Sequence, residues 1–327
     1  MLRRFLLVGC AFLTLSASCF AGTSAGTSSP TAHPASKAPV AGETIATTPT
    51  PIDGVVLSNQ MMITFMERLK AGNLAEARTI ALQMIEGNEQ FIDTPTKEFR
   101  SFATLMGKKL YEIQAKRAGQ NVTVEWVQQP IADGFYFLAM VDYQEGKVEE
   151  ALVDIQKAIS WDPVRAIFHI ERGFLMLHKK DNIELSMVMA TYIKALELSD
   201  CAEDFAAALR GLGFVLVERN DLAAGYAAYM TSKRFDPTNP ATVQEMHFIE
   251  AQAPGLAKTL DDAKSITLLT ERKIPVAISR IHVDVLLTIA GELTGAHQVK
   301  ELKAVLRRAL ALDPSNQSIV KKLTELK

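Results

Sequence analysis

The sequence predicts an all-α protein, a solenoid of stacked antiparallel helix pairs behind an N-terminal export signal and a disordered linker. Three observations carry this expectation. Small residues recur inside apolar helical segments, with Ala139 and Gly173 lying 34 residues apart and Gly213 a further 40. Ala158, Ala195 and Ser232 recur at an even spacing of 37. Asp162-Pro163, Asp236-Pro237 and Asp313-Pro314 close three of the units. A period of this length marks helical repeats, in which one pair cannot bury its apolar faces alone and so stacks on the next.

The chain begins with Arg3 and Arg4, an apolar run over residues 5–15, and small residues after it. That order is the layout of a secretory signal peptide, residues 1–21, cut behind Ala21. The apolar run is too short to span a bilayer, which needs roughly 20 apolar residues. An alternative is a lipoprotein signal, with Cys19 as the acylated residue. After a cut behind Ala21 only Cys201 remains, so no intrachain disulfide is expected. Residues 22–54 are Ala, Thr, Ser and Pro with almost no large apolar side chain. Such a segment cannot offset the entropy of ordering and is expected to be a disordered linker.

Residues 55–130 read as a divergent N-terminal helical region. Ser58 is the expected cap of a helix carrying Met62, Phe65, Met66 and Leu69 on one face. Gly72-Asn73 turns the chain. A helix is expected to start near Thr94–Glu98 and to carry Phe99, Phe102, Met106, Leu110 and Ile113 as a stripe. Val122, Val124 and Trp126 alternate, but a single strand would lack a partner, so a structured loop is expected there.

Residues 131–239 hold the repeats. Gly146 and Asn220-Asp221 supply short turns between the helices of a pair. Ala139, Gly173 and Gly213 in first helices, and Ala151 and Gly225 in second helices, allow close approach. Proline after aspartate stops each unit, because it cannot continue a helix and pushes its predecessor out of the α region. Residues 240–327 read as C-terminal helices: one from Asn239-Pro240, one from Leu256 to Thr270, one opened by Pro275, a last repeat-like pair and a cap.

These residues resemble the tetratricopeptide repeat family, over 132–165 and 206–239 and again over 283–316. Residues 166–200 depart from the pattern: Val188 stands near the expected small residue and Ser199-Asp200 replaces Asp-Pro. Asp142 stands where the family often has tyrosine. The resemblance implies a right-handed superhelix whose first helices line a concave surface, and a scaffold that binds other proteins. Some members grip acidic chaperone C-termini with Lys and Asn. The equivalent face here offers Asp133, Tyr136, Met140, Ile170 and Phe174, which argues against that role.

Composition narrows the function further. The 35 basic and 37 acidic residues give a formal charge of −2, with no basic stripe for nucleic acid. Histidines stand singly, without the i, i+4 pairing of a helix-borne zinc site. No phosphate loop or nucleophile elbow is present. No cofactor or metal is expected, and the chain is not expected to be an enzyme. An envelope hydrolase or transferase is the reading from a different class. Helical phase places Tyr136, Met140, Tyr143, Phe174, Arg210 and Phe214 on the inner face, and aromatics with one arginine suit binding anchors. The resulting expectation is a periplasmic or secreted bacterial envelope adaptor that binds a protein or peptide partner. It would support assembly of a secretion, pilus or polysaccharide machine, and would touch a membrane only if lipidated. Homodimerisation through the same face is the alternative.

Overall fold

The computed structural model describes residues 51–181 and 183–326, and these are built from fifteen α-helices and two short strands. The expected signal peptide, Cys19 and the linker up to residue 50 lie outside the described residues. Helices α1 (Pro51–Lys70) and α2 (Leu74–Ile85) form the first pair. Gly72 takes φ +71°, and the Asn73 side chain caps α2 by accepting from the Glu76 N–H. The main stack follows as α4 (Ile131–Gln144) with α5 (Val148–Trp161), α6 (Ala166–Leu177) with α7 (Leu185–Leu198), and α8 (Ala202–Glu218) with α9 (Leu222–Ser232). Between the pairs, α2 packs on α4, α5 on α6, and α7 on α8.

The turns work by left-handed backbone. Gly146 has φ +77° and Asn220 has φ +63°. Each lets the next N–H reach back, Lys147 to the Asp142 carbonyl and Asp221 to the Leu216 carbonyl. Asparagine tolerates this region better than most residues. Asp221 then caps α9 by accepting from the Ala224 N–H.

The small residues of the repeat make room for specific partners. A Cβ at Gly173 would fall 2.8 Å from the Tyr192 ring, and one at Gly211 would fall 2.2 Å from it. The ring of Tyr192, on α7, therefore lies between the first helices of two successive pairs. Gly213 plays the same part for Tyr229, at 3.0 Å. Gly134 admits Ile85 of α2 at 2.5 Å, which seats the first pair on α4. Beside it Phe65 and Phe137 stack with centroids 4.0 Å apart.

Several local expectations are corrected. Residues 97–100 are not a helix start but strand β1 (Lys97–Arg100), which pairs in parallel with β2 (Thr123–Trp126). The extended piece has found the partner that its own neighbourhood could not show. The Val127 N–H donates to the Arg100 carbonyl, and the Trp126 indole N–H to the Phe102 carbonyl. The following helix, α3 (Leu105–Arg117), starts instead at Thr104, whose hydroxyl accepts from the Gly107 N–H. Ser58 lies inside α1.

After α10 (Pro240–Gln252) the expected helix from 256 to 270 is broken in two, α11 (Leu256–Thr259) and α12 (Asp262–Glu271). Asp261 caps α12 by accepting from the Lys264 N–H. Pro275 lies in the connection before α13 (Ile281–Glu292), which is followed by α14 (Val299–Leu312) and α15 (Gln317–Glu325). Helix α12 returns to pack on α9, and α13 packs on α3. Lys109 of α3 pairs with Glu292 at 2.8 Å. Phe102, Met106 and Leu110 share one core with Val283, Leu286 and Leu306. Cys201 stands at the N-cap of α8, and both other cysteines of the chain lie outside the described residues. Among the described residues no helix is long and apolar enough to cross a membrane.

Candidate functional site

Helices α4, α6 and α8, the first of three successive pairs, and α10 after them wall a cavity of about 790 Å³. The β1–α3 connection, the α5–α6 and α9–α10 connections and Arg308 of α14 complete it. Its position follows from the repeat: short turns keep pairs together, glycines hold them close, and the first helices then face one space.

The wall is rich in ionisable groups. Asp133, Asp162, Glu171, Asp200, Glu203, Asp204, Asp236 and Glu245 line it, against Arg165, Arg210 and Arg308. Acids outnumber arginines, and each arginine is committed to a carboxylate. Arg165 pairs with Asp133 at 2.6 Å and lies 4.7 Å over the Phe168 ring. Arg210 pairs with Asp236 at 2.9 Å, where the Asn239 side-chain amide donates to the same oxygen at 3.0 Å. Arg308 reaches across from the C-terminal pair to Asp200. The aspartates of two Asp-Pro endings thus serve the wall, Asp236 by binding Arg210 and Asp162 by accepting from the Ala103 N–H at 3.3 Å.

Glu171 stands apart. It is fully buried, and both its carboxylate oxygens lack a hydrogen-bond partner among the described residues. Burial, with Asp204 adding to it, pushes its acid up to about 8. Burial also lifts Asp204 to about 7, with Asp200 adding and Arg165 opposing. Asp162 is raised by burial to about 6, against the pull of Arg165. Burial and then Glu171 raise the Tyr192 phenol, so it is neutral throughout this range. Burial lowers Arg210, and Asp236 counters it. The cavity middle thus holds carboxyl groups that keep their protons near neutrality, because ionising them in a dry wall without a cation is costly.

The six expected binding residues divide. Phe174 and Arg210 line the cavity. Tyr143 is half-buried, its ring 5.2 Å from Phe174 and 5.3 Å from His178. Tyr136 and Met140 belong to the first core cluster and Phe214 to the second, all buried. The Tyr136 hydroxyl is buried without a hydrogen-bond partner among the described residues. On α4 the lining residues are Asp133 and Phe137, each three positions before the expected Tyr136 and Met140. A step of three residues leaves a side chain about 60° round the helix, enough to move it from groove to core. Glu171, Asp204 and Tyr192 were missed. The available signal was a stripe on α8, where Asp204, Ala207 and Gly211 fall at i, i+3 and i+7.

Among the described residues no group of three or more His, Cys, Asp or Glu is placed to hold a metal ion. No protein-family model matches the chain, and no curated protein sequence matches it either.

Proposed function

We propose that the protein is a non-catalytic adaptor of the bacterial envelope, a right-handed solenoid of the tetratricopeptide type that holds a segment of a partner protein on its concave side. One observation supports this most: the first helices of three successive pairs, with α10 after them, face one continuous cavity of about 790 Å³. That volume falls within the range of roughly 300–1,000 Å³ that buries a ligand well. Shared by α4, α6, α8 and α10, it suits an extended chain segment. Export is part of the proposal and rests on the order of basic, apolar and small residues at the N-terminus. Assembly of a secretion, pilus or polysaccharide machine is the setting that the resemblance implies.

The test is site-specific photocrosslinking in cells. A photoreactive residue replaces Ala207, on the cavity side of α8, or Leu82, which is 48 % exposed on α2. A polypeptide adduct from position 207 and not from position 82 is expected. Adducts equal at both positions, or none at 207 with the protein folded, would overturn the groove assignment. Light scattering of the purified protein separates capture of a partner from self-association.

A further inference from the structure

We infer that the middle of the cavity is a receptor for a cation, the ammonium or guanidinium of a lysine or arginine side chain on the partner segment, held by Glu171 and Asp204. This rests on the adaptor reading and names the chemistry of what the groove accepts.

The inference begins with an unmet requirement. A buried polar group without a hydrogen bond is expensive, and a buried carboxyl is retained only where something compensates it. Glu171 has two buried oxygens and no partner for either among the described residues. It stands in the cavity wall, so a guest that displaces the side chains over it would meet both oxygens. None of the wall's arginines hydrogen-bonds to it among the described residues; Arg165, Arg210 and Arg308 pair instead with Asp133, Asp236 and Asp200. Asp204 stands close enough to oppose ionisation of Glu171. Two carboxyls that disfavour each other's charge are both stabilised by one cation between them.

The surroundings fit the same guest. Phe174 and Tyr192 line this part of the cavity, and aromatic faces attract ammonium and guanidinium groups. Gly173 and Gly211 clamp the Tyr192 ring from two helices, so that wall is fixed in advance. An anionic guest would meet the acid surplus, with each lining arginine already facing a carboxylate. A divalent metal would lack ligands, since no group of three or more metal-binding side chains is present among the described residues. A free amine would satisfy Glu171 but leave most of the cavity unfilled, which favours a cation carried on a chain.

Selection of short random peptides by display tests both levels at once. The targets are the full folded chain, Glu171→Gln, and Glu171→Gln combined with Asp204→Asn. These swaps keep shape and remove charge, and circular dichroism checks the fold. The wild type is expected to enrich sequences with Lys or Arg at one position about tenfold or more, and the double variant to lose that preference while still binding peptides. Enrichment with no basic preference leaves the groove reading intact and overturns the cation site. Absence of any enriched sequence overturns the groove reading itself. Cadaverine and ethylguanidine serve as free-cation probes. If either binds the wild type as tightly as the selected peptides do, the guest is a small amine and not a side chain.

Discussion

The two ends of the cavity and its middle handle buried charge in opposite ways. At one end Asp133 meets Arg165, and at the other Asp236 meets Arg210, each a direct ion pair within the chain. In the middle Glu171 has no partner among the described residues, and Asp204 holds its proton up to about 7. A fold that can place arginines against aspartates at both ends has left Glu171 without one. The difference separates the structural role of the wall from its recognition role: the ends close the stack, and the middle waits for charge from outside.

Breaking an end should cost most. Arg165→Met removes the cation beside Asp133 and Asp162 and leaves two carboxyls in a nearly closed wall. Taking one partner from a buried pair typically costs about 3–5 kcal/mol. The Arg165 and Asp133 side chains are only 11 % and 14 % exposed, so solvent screening discounts this little. Urea unfolding should show a loss of that size. A loss below about 1 kcal/mol, the ordinary worth of an exposed pair, would mean that the ends are not held by charge.

Disturbing the clamp of the middle comes next. Gly211→Ala places a methyl carbon 2.2 Å from the Tyr192 ring, which is already held against Gly173. The ring cannot retreat, so overpacking should reach the upper part of about 1–3 kcal/mol, despite the better helix propensity of alanine. Gly291→Ala is the control, because nothing lies within 4 Å of its added carbon. That change should stabilise by about 0.5–1 kcal/mol. Equal effects at the two positions would show that Tyr192 has room to move.

Which of these features were visible in the sequence depends on how far each signal reaches. The helix pairs were legible, because Gly146, Asn220 and the apolar stripes act within a few residues. Paired β1 and β2 were not, since Lys97 and Thr123 meet only after α3 has returned the chain. The lean of α13 on α3 depends on contacts such as Lys109 to Glu292, 183 residues apart. In the site, Phe174 and Arg210 were found because their helices keep the phase of the glycines beside them. Phase on α4 was about 60° out, and Tyr136 and Met140 went to the core. Glu171 looked like an ordinary helix glutamate, since its solitude is visible only when α4, α7 and α8 have closed around it.

The acidic middle should also make stability depend on pH. Glu171 and Asp204 keep their protons in the folded state up to about 8 and about 7, whereas in the unfolded chain they ionise near their ordinary 4.5 and 3.8. Between those limits the folded state binds more protons, so its stability falls as pH rises. His169 acts in the opposite sense, since burial lowers it from 6.5 to about 4 and costs stability as pH falls through that range. The clean window therefore lies above about 6.5, where the unfolded histidine has lost its proton. From there to about pH 8 the protein should lose roughly 2 kcal/mol, at up to 1.4 kcal/mol per pH unit for each acid. Glu171→Gln should remove most of that slope and raise stability at pH 8. A wild type with flat stability across the window would place a counter-charge beside Glu171 and dissolve the contrast between ends and middle.

The smallest stability effect is expected where the C-terminal pair contributes to the wall. Arg308 of α14 pairs with Asp200, but their side chains are 38 % and 28 % exposed. Water already solvates both groups, so Arg308→Ala should cost no more than about 1 kcal/mol. Its electrostatic consequence points inward. Asp200 is the carboxylate that pushes Asp204 up most, after burial itself. Without Arg308 to offset it, Asp200 should hold the Asp204 proton to higher pH and make the middle still more receptive to a cation. Urea unfolding of Arg308→Ala should therefore give nearly the wild-type midpoint at about pH 6.5 and a larger loss than wild type on going to about pH 8. If the two proteins lose stability in parallel, Asp200 and the C-terminal pair stand outside the electrostatics of the middle, and its acidity belongs to α6 and α8 alone.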